Sequence, residues 1–252
     1  MNENQRKGEL EHDHHPEAIY HRLRGQRAQS RVADAVLGAM DGSITTFTIV
    51  AGAVGGGLSG SVVVILGLAK VAADALSMAV SNFLSRRSEA QEVERMRAME
   101  RRHVEQDPAG EREEIRQIFH GKGFRDDTLE EIVRVLAANP DAWIETMIKE
   151  EHDLPSRPPH PLRAGLATFF AFLLVGAIPL APFVLDTGGP RNAFAASAAI
   201  TGIAFVLIGV MRGRILDRSS WRSGLETLLT GAAAAGVAYG VGAWLRHAYG
   251  VA

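Results

Sequence analysis

The sequence contains no cysteine, which excludes disulfides and thiolate metal sites. It has no P-loop, which argues against nucleotide-driven pumping, and no nucleophile motif. No basic stretch interleaved with aromatics is present, so nucleic acid is not an expected partner. Met1–Arg31 is polar and holds no apolar run ahead of a small-residue cleavage site, which is not the pattern of a secretory signal peptide. The most informative scarcity is of charge. Charged residues make up 22% of the chain and the net charge is −2, the figures of an ordinary water-soluble protein. Yet 32–84 and 162–245 hold few of them, whereas 86–157 is dense in Arg, Glu, Asp and Lys. Averaging a lipid-soluble part with a water-soluble part conceals both.

Five apolar stretches follow from that division: Val32–Val54, Ser61–Leu84, Leu162–Leu185, Asn192–Met211 and Gly224–Leu245. Each approaches the roughly 20 residues a helix needs to cross the hydrocarbon core. Backbone polar groups cannot stay unpaired in lipid, so all five are predicted helical despite their glycines. Pro179 and Pro182 predict a kink or an early end in the third. The Gly55–Gly60 connection predicts a tight hairpin. The Gly52, Gly56 and Gly60 spacing fits a close helix contact, but a flexible turn is the favoured reading. Arg22, Arg24, Arg27 and Arg31 precede the first stretch; Arg212, Arg214, Arg218 and Arg222 separate the fourth from the fifth. With five crossings both clusters fall on one side, expected to be the cytoplasm. The expectation is an all-α membrane protein with five transmembrane helices and a cytoplasmic helical metal-binding lobe between the second and third. Its segments are a polar tail (1–30), two crossings (31–85), the lobe (86–157) and three crossings (158–252). Alanine, glycine and arginine richness suggests a bacterial source and hence a bacterial cytoplasmic membrane, with a vacuolar membrane or endomembrane as the alternative in a eukaryote, and with the N-terminus on the lobe's side.

Within the lobe, Ser85–Gln106 is predicted to continue the second crossing without a break. Asp107-Pro108 reads as an N-cap with proline at the first helical position. That helix presents Ile115, Ile118 and Phe119 and ends at Gly121; the next starts near Asp127 and buries Leu129, Ile132, Val133 and Leu136. Asn139-Pro140 stops it, and a last helix carries Trp143, Ile144, Met147 and Ile148.

Ionisable groups inside the apolar stretches cost about 2.5–3.5 kcal/mol or more at the bilayer centre, so each needs a reason. Asp34 and Asp41 share one helix face, and Thr45 and Thr48 extend it with hydroxyls. Lys70, Asp74 and Met78 are spaced four apart and share another. A plain Lys70–Asp74 ion pair is the structural alternative. Carboxylates with a thioether suit a borderline transition-metal ion better than Mg2+ or Ca2+. In the lobe, Glu92, Met96, Glu100 and His103 form a stripe; Glu100 and His103 make an E-x-x-H pair, and Glu111 and Glu114 repeat the spacing. Di-iron bundles use such a pair on each of two helices; only one is found here. Met147, Glu150 and Glu151 sit on the last lobe helix. The N-terminal Glu11-His12-Asp13-His14-His15 run reads as a tail with incidental metal affinity.

At these residues the chain resembles the vacuolar iron transporter family. The matching stretches are Asp41-Gly42-Ser43-Ile44-Thr45-Thr46-Phe47, Gly67 through Met78 with Lys70-Val71-Ala72-Ala73-Asp74, and Asn139-Pro140-Asp141-Ala142-Trp143. The resemblance implies a homodimer that exports Fe2+, often Mn2+, in exchange for protons, with Zn2+ or Co2+ as further candidate cargo and no organic cofactor. It implies Asp41 and Met78 as pathway ligands, and Glu100, Glu111, Glu114, Met147 and Glu151 as lobe ligands. Lys70 stands where plant members have a pathway glutamate, with Asp74 one turn along as a replacement. His103 stands where a glutamate is expected, and Ile148 takes another such position, with Glu150 as a nearby substitute. A membrane-anchored iron-binding or ferroxidase protein is the alternative function.

Overall fold

The computed structural model describes residues 15–155, 158, 160–185, 189–216 and 218–250, with the backbone alone for 21–31. Every element among them is helical: α1 Pro16–Gly55, α2 Gly60–Gln106, α3 Pro108–Gly121, α4 Asp126–Ala137, α5 Pro140–Glu150, α6 Pro161–Gly176, a 3-10 turn Ile178–Leu180, α7 Ala181–Val184, α8 Pro190–Ile215 and α9 Ser220–Tyr249. Among the described residues, five spans are long and apolar enough to cross a bilayer: Val32–Gly55, Gly60–Gln106, Pro161–Val184, Pro190–Ile215 and Ser220–Tyr249. At 1.5 Å per residue, a 24-residue span such as Val32–Gly55 measures about 36 Å, enough for a core of about 30 Å. The protein is a multi-pass helical membrane protein. Glu11–His14 and Asp186 lie outside the described residues, as do the side chains of Arg22, Arg24, Arg27 and Arg31.

The chain parts into two compact units, Met1–Asn82 with Leu162–Ala252, and Phe83–Pro161. The membrane unit is closed by small residues. A Cβ built on Gly38 would sit 2.5 Å from the Thr168 carbonyl oxygen, and one on Gly42 2.7 Å from that of Phe172. The α6 backbone therefore reaches α1 at two positions where α1 carries no side chain. Gly52 lies against Gly242 of α9 so closely that a Cβ on Gly242 would overlap the Gly52 carbonyl oxygen. The Gly52/Gly56 spacing thus marks a helix contact, the less favoured of the two sequence readings, because its partner helix is remote in the chain. Phe47 stacks on Phe194 and meets Phe205 edge-on, both at 6.2 Å between centroids.

Proline breaks the third span as expected. After Gly176 the chain tightens into the 3-10 turn containing Pro179. The Pro179 carbonyl is satisfied by the Ser197 hydroxyl, which donates to it at 2.6 Å from α8. Such rescue by a neighbouring helix is what lets a span break in lipid. At the other end, α1 begins at Pro16, inside the region expected to be a polar tail; Pro16 at its start and Glu17 in its first turn favour helix entry.

The lobe packs the last turns of α2 with α3, α4 and α5. Asp107 caps α3 by accepting from the Gly110 amide at 3.0 Å, and Asn139 caps α5 by accepting from the Ala142 amide at 3.2 Å. Ile115, Val133, Trp143 and Met147 form one buried cluster, and Val93, Ile144 and Ile148 form another with Met96 at its edge. Arg116 ties α3 to α4 through Glu130 at 2.7 Å.

Candidate metal sites in the membrane unit and the lobe

The α1, α2 and α6 helices hold Asp34 in a polar knot. Asp34 is only 3% exposed. Asn82 Nδ2 donates to Asp34 Oδ1 at 3.2 Å and to Thr168 Oγ1 at 2.8 Å. Asn82 and Thr168 were not singled out in the sequence, since only the fold brings three distant segments together. Two turns along α1, Asp41 is half-buried and accepts a 3.4 Å hydrogen bond from the Thr45 hydroxyl. The Thr48 hydroxyl instead donates to the Thr45 carbonyl at 2.7 Å, so it turns to its own helix. On α2, Lys70 Nζ and Asp74 Oδ1 form an ion pair at 2.5 Å, with the Lys70 side chain 51% exposed. Met78, one turn further, is half-buried. An apolar groove of about 400 Å³ in the same unit, lined by Phe47, Phe194, Phe205 and Tyr239 among others, contains no carboxylate, amine or imidazole.

The lobe gathers acids differently. Glu100, near the end of α2, is 1% exposed; Glu111, in the first turn of α3, is 4% exposed. Glu100, His103 and Glu111 offer ligand atoms within 4.8 Å of one another, and so do Glu100, Glu151 and His152. His103 Nδ1 lies 3.3 Å from Glu111 Oε1, and His152 Nε2 lies 2.8 Å from Glu100 Oε1. The second oxygens, Glu100 Oε2 and Glu111 Oε2, are buried and accept no hydrogen bond from the described residues. An ionised oxygen in that state bears its desolvation cost without return. Burial, with repulsion from Glu114 and Glu100, pushes the Glu111 carboxyl up to about 7. Burial also raises Glu151, opposed by His152 and reinforced by Glu100 and Glu114. The arrangement can hold one or two divalent cations on oxygen and nitrogen.

The structure therefore brings together Glu100, His103, Glu111 and Glu151 and sets Glu114 close enough to repel Glu111. It does not bring in Glu150, whose carboxylate pairs with Lys122 and is held well below the usual range by that bond. Ile148 is wholly buried in the apolar cluster, and Met147 is wholly buried beside Ile115, Val133 and Trp143. Glu92 is exposed. His152 escaped sequence reading because it follows the end of α5, where helical spacing no longer predicts direction. Its amide still hydrogen-bonds back to the Met147 carbonyl at 3.3 Å, and that turn aims the chain at Glu100.

Five described helices long and apolar enough to cross a membrane place the chain among multi-pass membrane proteins, and the relatives it matches are named transporters, not enzymes. The model of the VIT family matches residues 32–243. The chain is 32% identical to vacuolar iron transporter 1 of Eucalyptus grandis over 91% of this chain and 90% of the relative. It is 31% identical to vacuolar iron transporter 1 of Arabidopsis thaliana over 93% and 92%. Against vacuolar iron transporter 1 of Oryza sativa subsp. japonica the figures are 30%, 91% and 89%. The chain belongs to the VIT family.

Proposed function

We propose that this protein carries divalent transition-metal ions, Fe2+ first among them, out of the cytosol in exchange for protons, and that it works as a homodimer. The observation that carries this reading is the charged face of α2. Lys70, Asp74 and Met78 share it within a lipid-spanning helix, and half of the Lys70 side chain is uncovered by its own chain. Hydrocarbon penalises such a face, so a second copy laid over it, with Asp41 of α1 as a further ligand, turns it into an ion path. Relatives named iron transporters support Fe2+ as cargo. Carboxylate and thioether donors extend the range to Mn2+, Zn2+ and Co2+. The lobe serves to collect ions on Glu100, His103, Glu111, Glu114 and Glu151, and the membrane unit serves to move them. Arg212 and Arg214 in the last turn of α8 support a cytoplasmic assignment for that end. The lobe and N-terminus share that side, in a bacterial cytoplasmic membrane.

Exchange needs one carboxylate to hold either metal or proton, and Asp41, half-buried in a lipid-spanning helix with the Thr45 hydroxyl as its hydrogen-bond donor, is the group assigned to it. The test is flux into proteoliposomes under a pH gradient, with Fe2+, Mn2+, Zn2+ and Co2+ compared and internal pH followed. Metal entry with opposite proton movement is expected. Metal entry without proton movement would remove the exchange step, and no entry of any ion would remove the function.

A further inference from the structure

We propose that His152 is a further metal ligand of the lobe, joining Glu100 and Glu151, and that its imidazole biases the lobe toward Co2+-like ions over Mn2+. This rests on the reading of the lobe as a metal collector. Glu100, His103 and Glu111, and Glu100, Glu151 and His152, each keep their ligand atoms within 4.8 Å, and Glu100 belongs to both trios. Its Oε1 faces His152 at 2.8 Å, while its Oε2 is buried with no hydrogen-bond partner among the described residues. A hydrogen bond from His152 satisfies one oxygen only. It leaves the other desolvated, and leaves Glu151 drawn in to 3.8 Å of the same ring nitrogen. A carboxylate with two oxygens to satisfy and a trio on each side is arranged to bridge two cations. Two trios with one imidazole each give a nitrogen and two carboxylates per ion. Nitrogen donors widen the affinity gap between Mn2+ and the later first-row ions, whereas an all-carboxylate site suits Mn2+. The His152 side chain is 17% exposed, so it is reachable from water yet held by its surroundings.

The test uses the detergent-solubilised full chain. Spin-echo spectra of bound Mn2+ report directly coordinated nitrogen. His103→Gln protein is expected to retain a nitrogen coupling, and adding His152→Gln is expected to abolish it. A coupling already absent from His103→Gln, or one that survives in the double variant, overturns the site. Titration with Co2+ and Mn2+ supplies the second readout. His152→Gln should lower Co2+ affinity by about tenfold or more and Mn2+ affinity clearly less. Glutamine can still donate to Glu100, so equal losses for both ions would make His152 a positioning residue and overturn the proposal. Wild-type protein that binds neither ion would overturn the lobe reading itself, an outcome distinguishable from failure at His152 alone.

Discussion

The carboxylates of the membrane unit and those of the lobe meet the cost of burial in different ways. In the membrane unit three acids have a neutralising or hydrogen-bonding neighbour: Asn82 for Asp34, Thr45 for Asp41, Lys70 for Asp74. In the lobe, acids are packed against one another and against two imidazoles, and two buried oxygens have no partner among the described residues. On the proposed function, the first arrangement offers an ion ligands whose present partners it can replace, and the second offers oxygens that a cation would satisfy. Passage and capture would then call for opposite electrostatics in the two units.

The largest effect expected of any single substitution falls in the membrane unit. Asp41→Ala should reduce gradient-driven Fe2+ uptake by proteoliposomes to background while leaving the thermal transition of the purified protein in place. Uptake at wild-type rate would erase the distinction between the units. Next comes the lobe: Glu111→Ala with Glu114→Ala should weaken metal binding by the purified protein by at least the roughly 10–100-fold that even outer ligand partners cost. Calorimetric titration measures it, and unchanged affinity would leave the unpartnered oxygens unexplained.

A third prediction concerns pH. The Glu111 carboxyl is raised from 4.5 to about 7 by burial and by its acidic neighbours. Between those values the folded lobe holds a proton that the unfolded chain has released. Metal-free protein therefore keeps this contribution on the acid side and loses it as pH rises through about 7. Metal binding runs the other way, because the proton must leave first, so affinity should fall by up to about tenfold per unit below pH 7. Thermal melts at pH 5 and 8 with and without Co2+ check both signs: the ion should raise the transition more at pH 8. Equal shifts would mean that Glu111 is not a ligand. The smallest effect is expected at Glu150. Its pair with Lys122 is at the surface, so Glu150→Gln should change stability by about 1 kcal/mol or less and leave metal affinity near wild type. A large affinity loss would return Glu150 to the site.

Much of this was legible before any coordinates. Asp107-Pro108 and Asn139-Pro140 announced two helix starts because capping and proline geometry are local. Pro179 announced the break in the third span for the same reason. Glu100, His103 and Glu111 were visible as helical spacings. What stayed hidden depends on distant partners. Gly52 faces Gly242, and Asn82 reaches Thr168, across more of the chain than periodicity can report. Glu150 has the right chemistry, but Lys122, on the far side of α4 in sequence, takes it. His152 lies past a helix end, where a turn rather than a repeat sets its direction.

The central claim is that the buried carboxylate oxygens with no partner among the described residues receive a divalent ion. Anomalous scattering at the iron edge, from crystals exposed to Fe2+ under reducing conditions, tests it most directly. Peaks within ligand distance of Glu100 Oε2 and Glu111 Oε2, about 2.0–2.2 Å for a carboxylate on such an ion, are the predicted result. Iron found only elsewhere, with those two oxygens hydrogen-bonded to water or protonated against each other, would contradict it.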